Sequence, residues 1–138
     1  MKKEMKKTRY ILLLLVAVMA LTSCNKMSHN GDLDGRWQIT RMVYHSTGEE
    51  IEGPIRVYWD FNLELMDIVD MRPGKGFFTY SRFDHHGDRL KVATIGATVK
   101  DLRPRGLCDT IVDFRVETLN HSTMILDSDS TLLEFRKF

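Results

Sequence analysis

Two cysteines and five histidines are the side chains in this sequence best suited to chemistry, so their surroundings come first. Cys108 sits in RPRGLCDT, beside Arg103, Arg105 and Asp109 but no histidine base. A thiol without an activating base reads as a small buried hydrophobe, not a nucleophile. His85 and His86, between Asp84 and Asp88, offer imidazoles and carboxylates to a metal. Neighbouring histidines on a turn do not converge on one ion, however, and no further ligands follow at a metal-site spacing. His29, His45 and His121 stand singly. The chain carries no nucleophile elbow, P-loop, HExxH or paired-carboxylate pattern. The expectation is a protein that is not an enzyme and uses no metal and no cofactor.

Cys24 is different, because its position has a reason. Lys2, Lys3, Lys6, Lys7 and Arg9 precede the uncharged run YILLLLVAVMAL, residues 10–21. A basic flank followed by an apolar stretch of this length is a secretory leader, too short to span a bilayer comfortably. Leu21-Thr22-Ser23-Cys24 then resembles the lipobox of bacterial lipoproteins. The resemblance implies cleavage before Cys24 and acylation of its thiol and new amine. Each buried methylene contributes about 0.8 kcal/mol, so two or three chains anchor durably where one does not. Asn25, with no acidic run after it, further implies sorting to the outer membrane facing the periplasm, with surface exposure left open.

Residues 1–23 hold five basic residues and one acidic residue, so the remaining 115 residues carry 15 basic and 18 acidic ones, a net charge of −3. The whole-chain value of +1 belongs to the leader. A mildly acidic domain has no electrostatic footprint for nucleic acid. Residues 24–33 read as the lipidated N-terminus and a polar tether, and 34–138 as one domain.

Within that domain, apolar and polar residues alternate with a period of two, the pattern of half-buried strands. Eight strands are predicted, at 35–44, 55–61, 64–71, 77–83, 89–95, 110–119, 123–127 and 130–138. RPGKG (72–76) and DHHGD (84–88) read as turns. Short connections imply antiparallel hairpins in chain order, and eight strands can close on themselves and leave no edge. The expected class is all-β, an eight-stranded antiparallel up-and-down barrel, with a two-sheet sandwich as the alternative. Residues 96–109 either extend the fifth strand, add a ninth, or fold over one mouth.

On the first of these strands, Gly35-Arg36-Trp37 is similar to the Gly-x-Trp of the lipocalin and calycin families. The resemblance implies a lipocalin-like barrel whose Trp37 closes one end, with Arg136 of the last strand across the ring and Lys137 as second choice. A guanidinium over indole contributes about 0.5–2 kcal/mol, and Gly35 lets the chain turn tightly into the strand.

A barrel of this size is either filled by its own side chains or holds one small ligand. Trp59, Phe61 and Phe78 are the predicted wall of such a ligand site. The function expected is therefore a membrane-anchored lipocalin-like lipoprotein that binds a small apolar or amphipathic molecule in the cell envelope. The alternative is a filled barrel serving as a non-enzymatic interaction module for an envelope protein or glycan. Asp109-Thr110-Ile111 and Asp129-Ser130-Thr131 also resemble the Asp-Ser/Thr-apolar sequon of exported bacterial glycoproteins, which implies O-glycosylation at Thr110 and Ser130.

Overall fold

The computed structural model describes residues 1–21 and 28–138. The predicted lipobox residues Thr22 to Cys24 and the start of the predicted tether lie outside the described residues. Lys2–Leu21 form helix α1. Among the described residues no helix is long and apolar enough to cross a membrane.

From Gly35 onward the alternation becomes nine strands among the described residues: β1 (Gly35–Tyr44), β2 (Glu50–Glu52), β3 (Val57–Asn62), β4 (Leu65–Asp70), β5 (Phe77–His86), β6 (Arg89–Ile95), β7 (Ile111–Leu119), β8 (Thr123–Asp127) and β9 (Thr131–Lys137). Every pairing is antiparallel, and β1 pairs with β9 from Trp37–Lys137 to Tyr44–Thr131. That last ladder closes β1 and β3–β9 into an eight-stranded barrel, so the sandwich alternative does not hold. The short β2 is an addition to β1, opposite Arg41–Val43. The predicted turn at 84–88 is corrected: β5 runs to His86 and β6 begins at Arg89, leaving Gly87 and Asp88 to make the reversal.

Alternate side chains of each strand face inward. Trp37, Ile39, Met42 and Tyr44 on β1 are buried, and their spacing skips one residue at Thr40. There the β1–β9 register shifts by a bulge, and the Thr40 hydroxyl donates to the Glu134 carbonyl 3.1 Å away. Val57, Trp59 and Phe61 follow on β3, Leu90 and Val92 on β6, Phe114 on β7, Met124 and Leu126 on β8, and Leu133 and Phe135 on β9. Burial of each such side chain contributes about 1.5–3 kcal/mol.

Each barrel end is closed differently. At the β1 start, the Trp37 indole N–H donates to the Leu33 carbonyl at 2.8 Å, and the Lys137 ammonium lies 4.3 Å from the ring centroid. Arg136 does not take that place. It is the cross-strand partner of Gln38, and its Nε donates to Gln38 Oε1 at 2.8 Å. Trp37 faces inward and pairs with Lys137, so the second-choice cation covers the ring and Arg136 points to the other face. Gly35 has φ +108°, and a Cβ there would stand 3.2 Å from Lys137 Cε.

At the opposite end, residues 96–109 fold over the mouth. Thr98 and Asp101 form a capping box that starts helix α2 (Val99–Leu102), which runs into a 3-10 turn at Arg103–Arg105. Leu102 and Leu107 are completely buried and complete the core from above. Of the three alternatives for this segment, the lid is the one adopted.

Candidate functional site

The predicted ligand wall is divided between interior and exterior. Trp59 is fully buried, with its ring centroid 5.0 Å from that of Phe135, 6.0 Å from Phe114 and 6.5 Å from Phe61. Phe61 meets Phe83 edge to face at 5.1 Å. These rings pack on one another at the distances aromatic pairs favour, and so make a core rather than the lining of a hollow. Phe78 does not join them. It is 61% exposed on the outer face, because the inward positions of β5 belong to Thr79 and Ser81. Those two hydroxyls are satisfied inside, Thr79 donating to the Ile95 carbonyl and Ser81 to Thr94. The Trp59 indole N–H has no hydrogen-bond partner among the described residues.

A concave site lies instead on the rim of the mouth. A cleft of about 780 Å³ opens between the β1–β2 hairpin, the β4–β5 turn and the mouth segment. Tyr44, Ile51, Val99 and Pro104 give it apolar walls, and Arg72, Lys75, Lys100 and Arg103 bring four cations against the single acid Glu49. Its volume falls within the roughly 300–1,000 Å³ of small-molecule sites. Two bonds tie the walls together: Tyr44 Oη donates to the Arg103 carbonyl at 2.5 Å, and Arg72 Nη2 to the Pro104 carbonyl at 3.0 Å. The cleft is thus held open by the fold, before any ligand arrives.

Beneath it lies a buried ion cluster. The Asp70 side chain has no exposed surface, and it receives Arg72 Nη2 at 2.7 Å and Nε at 2.9 Å. Arg105 Nε stands 3.0 Å from the same carboxylate without the alignment of a hydrogen bond. The Arg105 guanidinium also lies 3.9 Å from the Phe77 ring centroid and donates to the carbonyls of Lys75 and Asp101. Burial pulls the Asp70 carboxyl upward, but the Arg72 hydrogen bonds and the charges of both arginines outweigh it and hold it below its ordinary value. Two cations on one carboxylate leave the cluster with one positive charge in excess, and Arg72 joins it to the lining of the cleft.

Tyr44 and Cys108 border the same region. Burial, with smaller help from Cys108 and Glu49, pushes the Tyr44 hydroxyl up to about 12, so it stays a neutral donor. Burial likewise raises the Cys108 thiol against the pull of Arg103, leaving it half-buried and protonated at neutral pH. His86 Nε2 lies 2.9 Å from Asp84, while His85 faces the Gly87 carbonyl, so the two imidazoles do not converge. Thr110 is half-buried just before β7, and its amide donates to its own neighbour Asp109. Ser130 is exposed in the β8–β9 turn.

Sequence reasoning missed Tyr44, Arg72, Lys75 and Lys100. A signal existed for the cluster beneath them: Asp70 shares the inward parity of Met66 and Ile68, and a carboxylate at a core position demands a buried cation.

A closed antiparallel barrel with a cation-capped tryptophan at one end and a preformed cleft at the other defines a small binding barrel. The chain belongs to the lipocalin-like domain family, whose profile matches residues 19–138. Two crystal structures share its fold. A lipocalin-like protein from Bacteroides uniformis is 23% identical and superposes with a TM-score of 0.65, over 78% of this chain and all of its own. An uncharacterized protein from Bacteroides eggerthii is 17% identical, with a TM-score of 0.63 over 77% of this chain and 99% of its own. No curated protein matches.

Proposed function

We propose that this protein is a lipid-anchored binding module of the bacterial cell envelope, held by an acylated Cys24, that takes up a small amphipathic molecule at the rim of its barrel. It acts as a binder and performs no reaction. The observation that carries this reading is the preformed cleft of about 780 Å³, whose lining joins the apolar Ile51, Val99 and Pro104 to the cations Arg72, Lys75, Lys100 and Arg103. The interior supports the rim as the site, because Trp59, Phe61, Phe114 and Phe135 already fill the barrel. The basic flank, apolar run and lipobox support the anchor.

Native mass spectrometry of the full-length gene product, purified from the envelope of a Gram-negative host, tests both halves. The expected species begins at Cys24, carries acyl mass lost in Cys24→Ser, and retains a small molecule that Ile51→Asp no longer holds. A chain keeping residues 1–23 without acyl mass would overturn the anchor, and a wild-type adduct unaffected by Ile51→Asp would overturn the site.

A second reading draws on the outer wall. Val69 pairs with Phe78, Tyr80 with Ile95, and Ala93 with Ile111, making a continuous outward strip on β4–β7. Phe78, Tyr80, Ile95 and Ile111 are all exposed. Such a strip suits contact with an envelope protein.

A further inference from the structure

We infer that the rim cleft selects an organic anion: a compact amphiphile whose apolar body lies on Ile51, Val99 and Pro104 while a carboxylate or sulfonate head meets Lys75 and Lys100. This rests on the cleft being the binding site and adds the chemical class of its ligand. Lys75 and Lys100 have no ion-pair partner among the described residues. Asp101, the sequence neighbour of Lys100, feels its charge but gives its carboxylate to Thr98. Arg72, which lines the cleft, is occupied by Asp70, yet Arg105 on that same carboxylate leaves the cluster with one positive charge in excess.

Glu49 is the single acid lining the cleft. This cationic patch sits on a domain whose net charge beyond residue 23 is −3, so it is a local feature and not the overspill of a basic protein. Cations on low-dielectric walls focus the field on an incoming anion. An inorganic anion would leave the apolar walls unused. A two-chain lipid would need a passage into the barrel, and that passage is filled by Leu102 and Leu107. The occupant is therefore a free small molecule.

Residues 28–138 carry every strand of the barrel and serve for the test, with cooperative thermal unfolding of this segment measured before titration. The probes are 1-anilinonaphthalene-8-sulfonate and its neutral analogue N-phenyl-1-naphthylamine, titrated by fluorescence. The sulfonate binds more tightly, and added salt weakens it. Because exposed ion pairs contribute modestly, the paired change Lys75→Ala and Lys100→Ala weakens the sulfonate about tenfold. The neutral dye is unaffected by that pair, whereas Ile51→Asp weakens both.

If both dyes bind alike and ignore salt and the lysines, the anion preference falls while the cleft reading stands. Binding of neither dye defeats both. Loss of sulfonate binding in Phe78→Ser instead would move the site to the outer wall and overturn the inference. Phosphatidylglycerol vesicles should not displace the bound dye; displacement would assign the head group to a membrane lipid and overturn the choice of a free ligand.

Discussion

The Lys137 ammonium sits 4.3 Å from the centroid of the Trp37 ring and donates to the carbonyls of Asp32 and Asp34. One side chain thereby links the last strand, the first strand and the chain that enters it. Removing it strips the ring of its cation and leaves two carbonyls without their donor. Lys137→Ala is expected to destabilise the barrel by about 1–2 kcal/mol. On a domain of this size that is a fall of several degrees in melting temperature. Arg136→Ala, which breaks only the bond to Gln38 on the opposite face, should lower the melt less. Thermal denaturation of the two variants side by side decides it, and a larger loss for Arg136→Ala would contradict the closure described above.

The face that Arg136 takes is legible in the sequence of the last strand. Leu133 and Phe135 alternate inward, so parity alone carries Lys137 to the Trp37 face and Arg136 away from it. The barrel itself was readable for the same reason: apolar residues hold the inward parity at Val57, Trp59 and Phe61 on β3, at Val112, Phe114 and Val116 on β7, and at Leu133 and Phe135 on β9. On β5 they do not. Phe78 and Tyr80 face solvent while Thr79 and Ser81 are buried, so the side chain that looked like a ligand wall lies outside. Pattern reasoning assigns aromatics to the interior, and it fails where small hydroxyls can satisfy themselves within the core. The mouth segment was obscure for another reason. Its charges at Arg103 and Arg105 resemble a solvated loop until Asp70, more than thirty residues away, is brought against Arg105. No local pattern encodes that meeting.

Asp70 makes stability depend on pH in a defined direction. Its folded-state carboxyl is held below the ordinary value by Arg72 and Arg105 despite burial. A depressed acid contributes fully above its unfolded pKa, near 4, and its contribution is lost as pH falls through the lower folded value. Asp34, where burial is outweighed by hydrogen bonds from Asn30 and Ser28, adds to the same slope. Denaturant melts should therefore be level from neutral pH down to about 5 and decline below about 4. Asp70→Asn leaves two guanidiniums over an uncharged amide and should cost about 3–5 kcal/mol at neutral pH. Its acid slope should also be shallower than that of the wild type. An equal slope would mean that other carboxylates govern acid unfolding.

Gly106 ends the 3-10 turn with φ +94°, where the chain reverses to bring Leu107 into the core. Two independent constraints meet at this position. A side chain there would be strained by the left-handed backbone, and an added Cβ would stand 2.7 Å from Leu133 Cδ2. Thr131 also donates to the Gly106 carbonyl at 2.9 Å, fixing the reversal against β9. Gly106→Ala should destabilise the domain by more than about 1 kcal/mol. Leu133→Ala alone opens a void and should cost about 2–5 kcal/mol. If the close approach is part of the cost, the double variant loses less than the two single changes together, because trimming Leu133 makes room for the new methyl. Full additivity in a denaturant double-mutant cycle would assign the whole cost to backbone strain and leave the Leu133 contact without energetic weight.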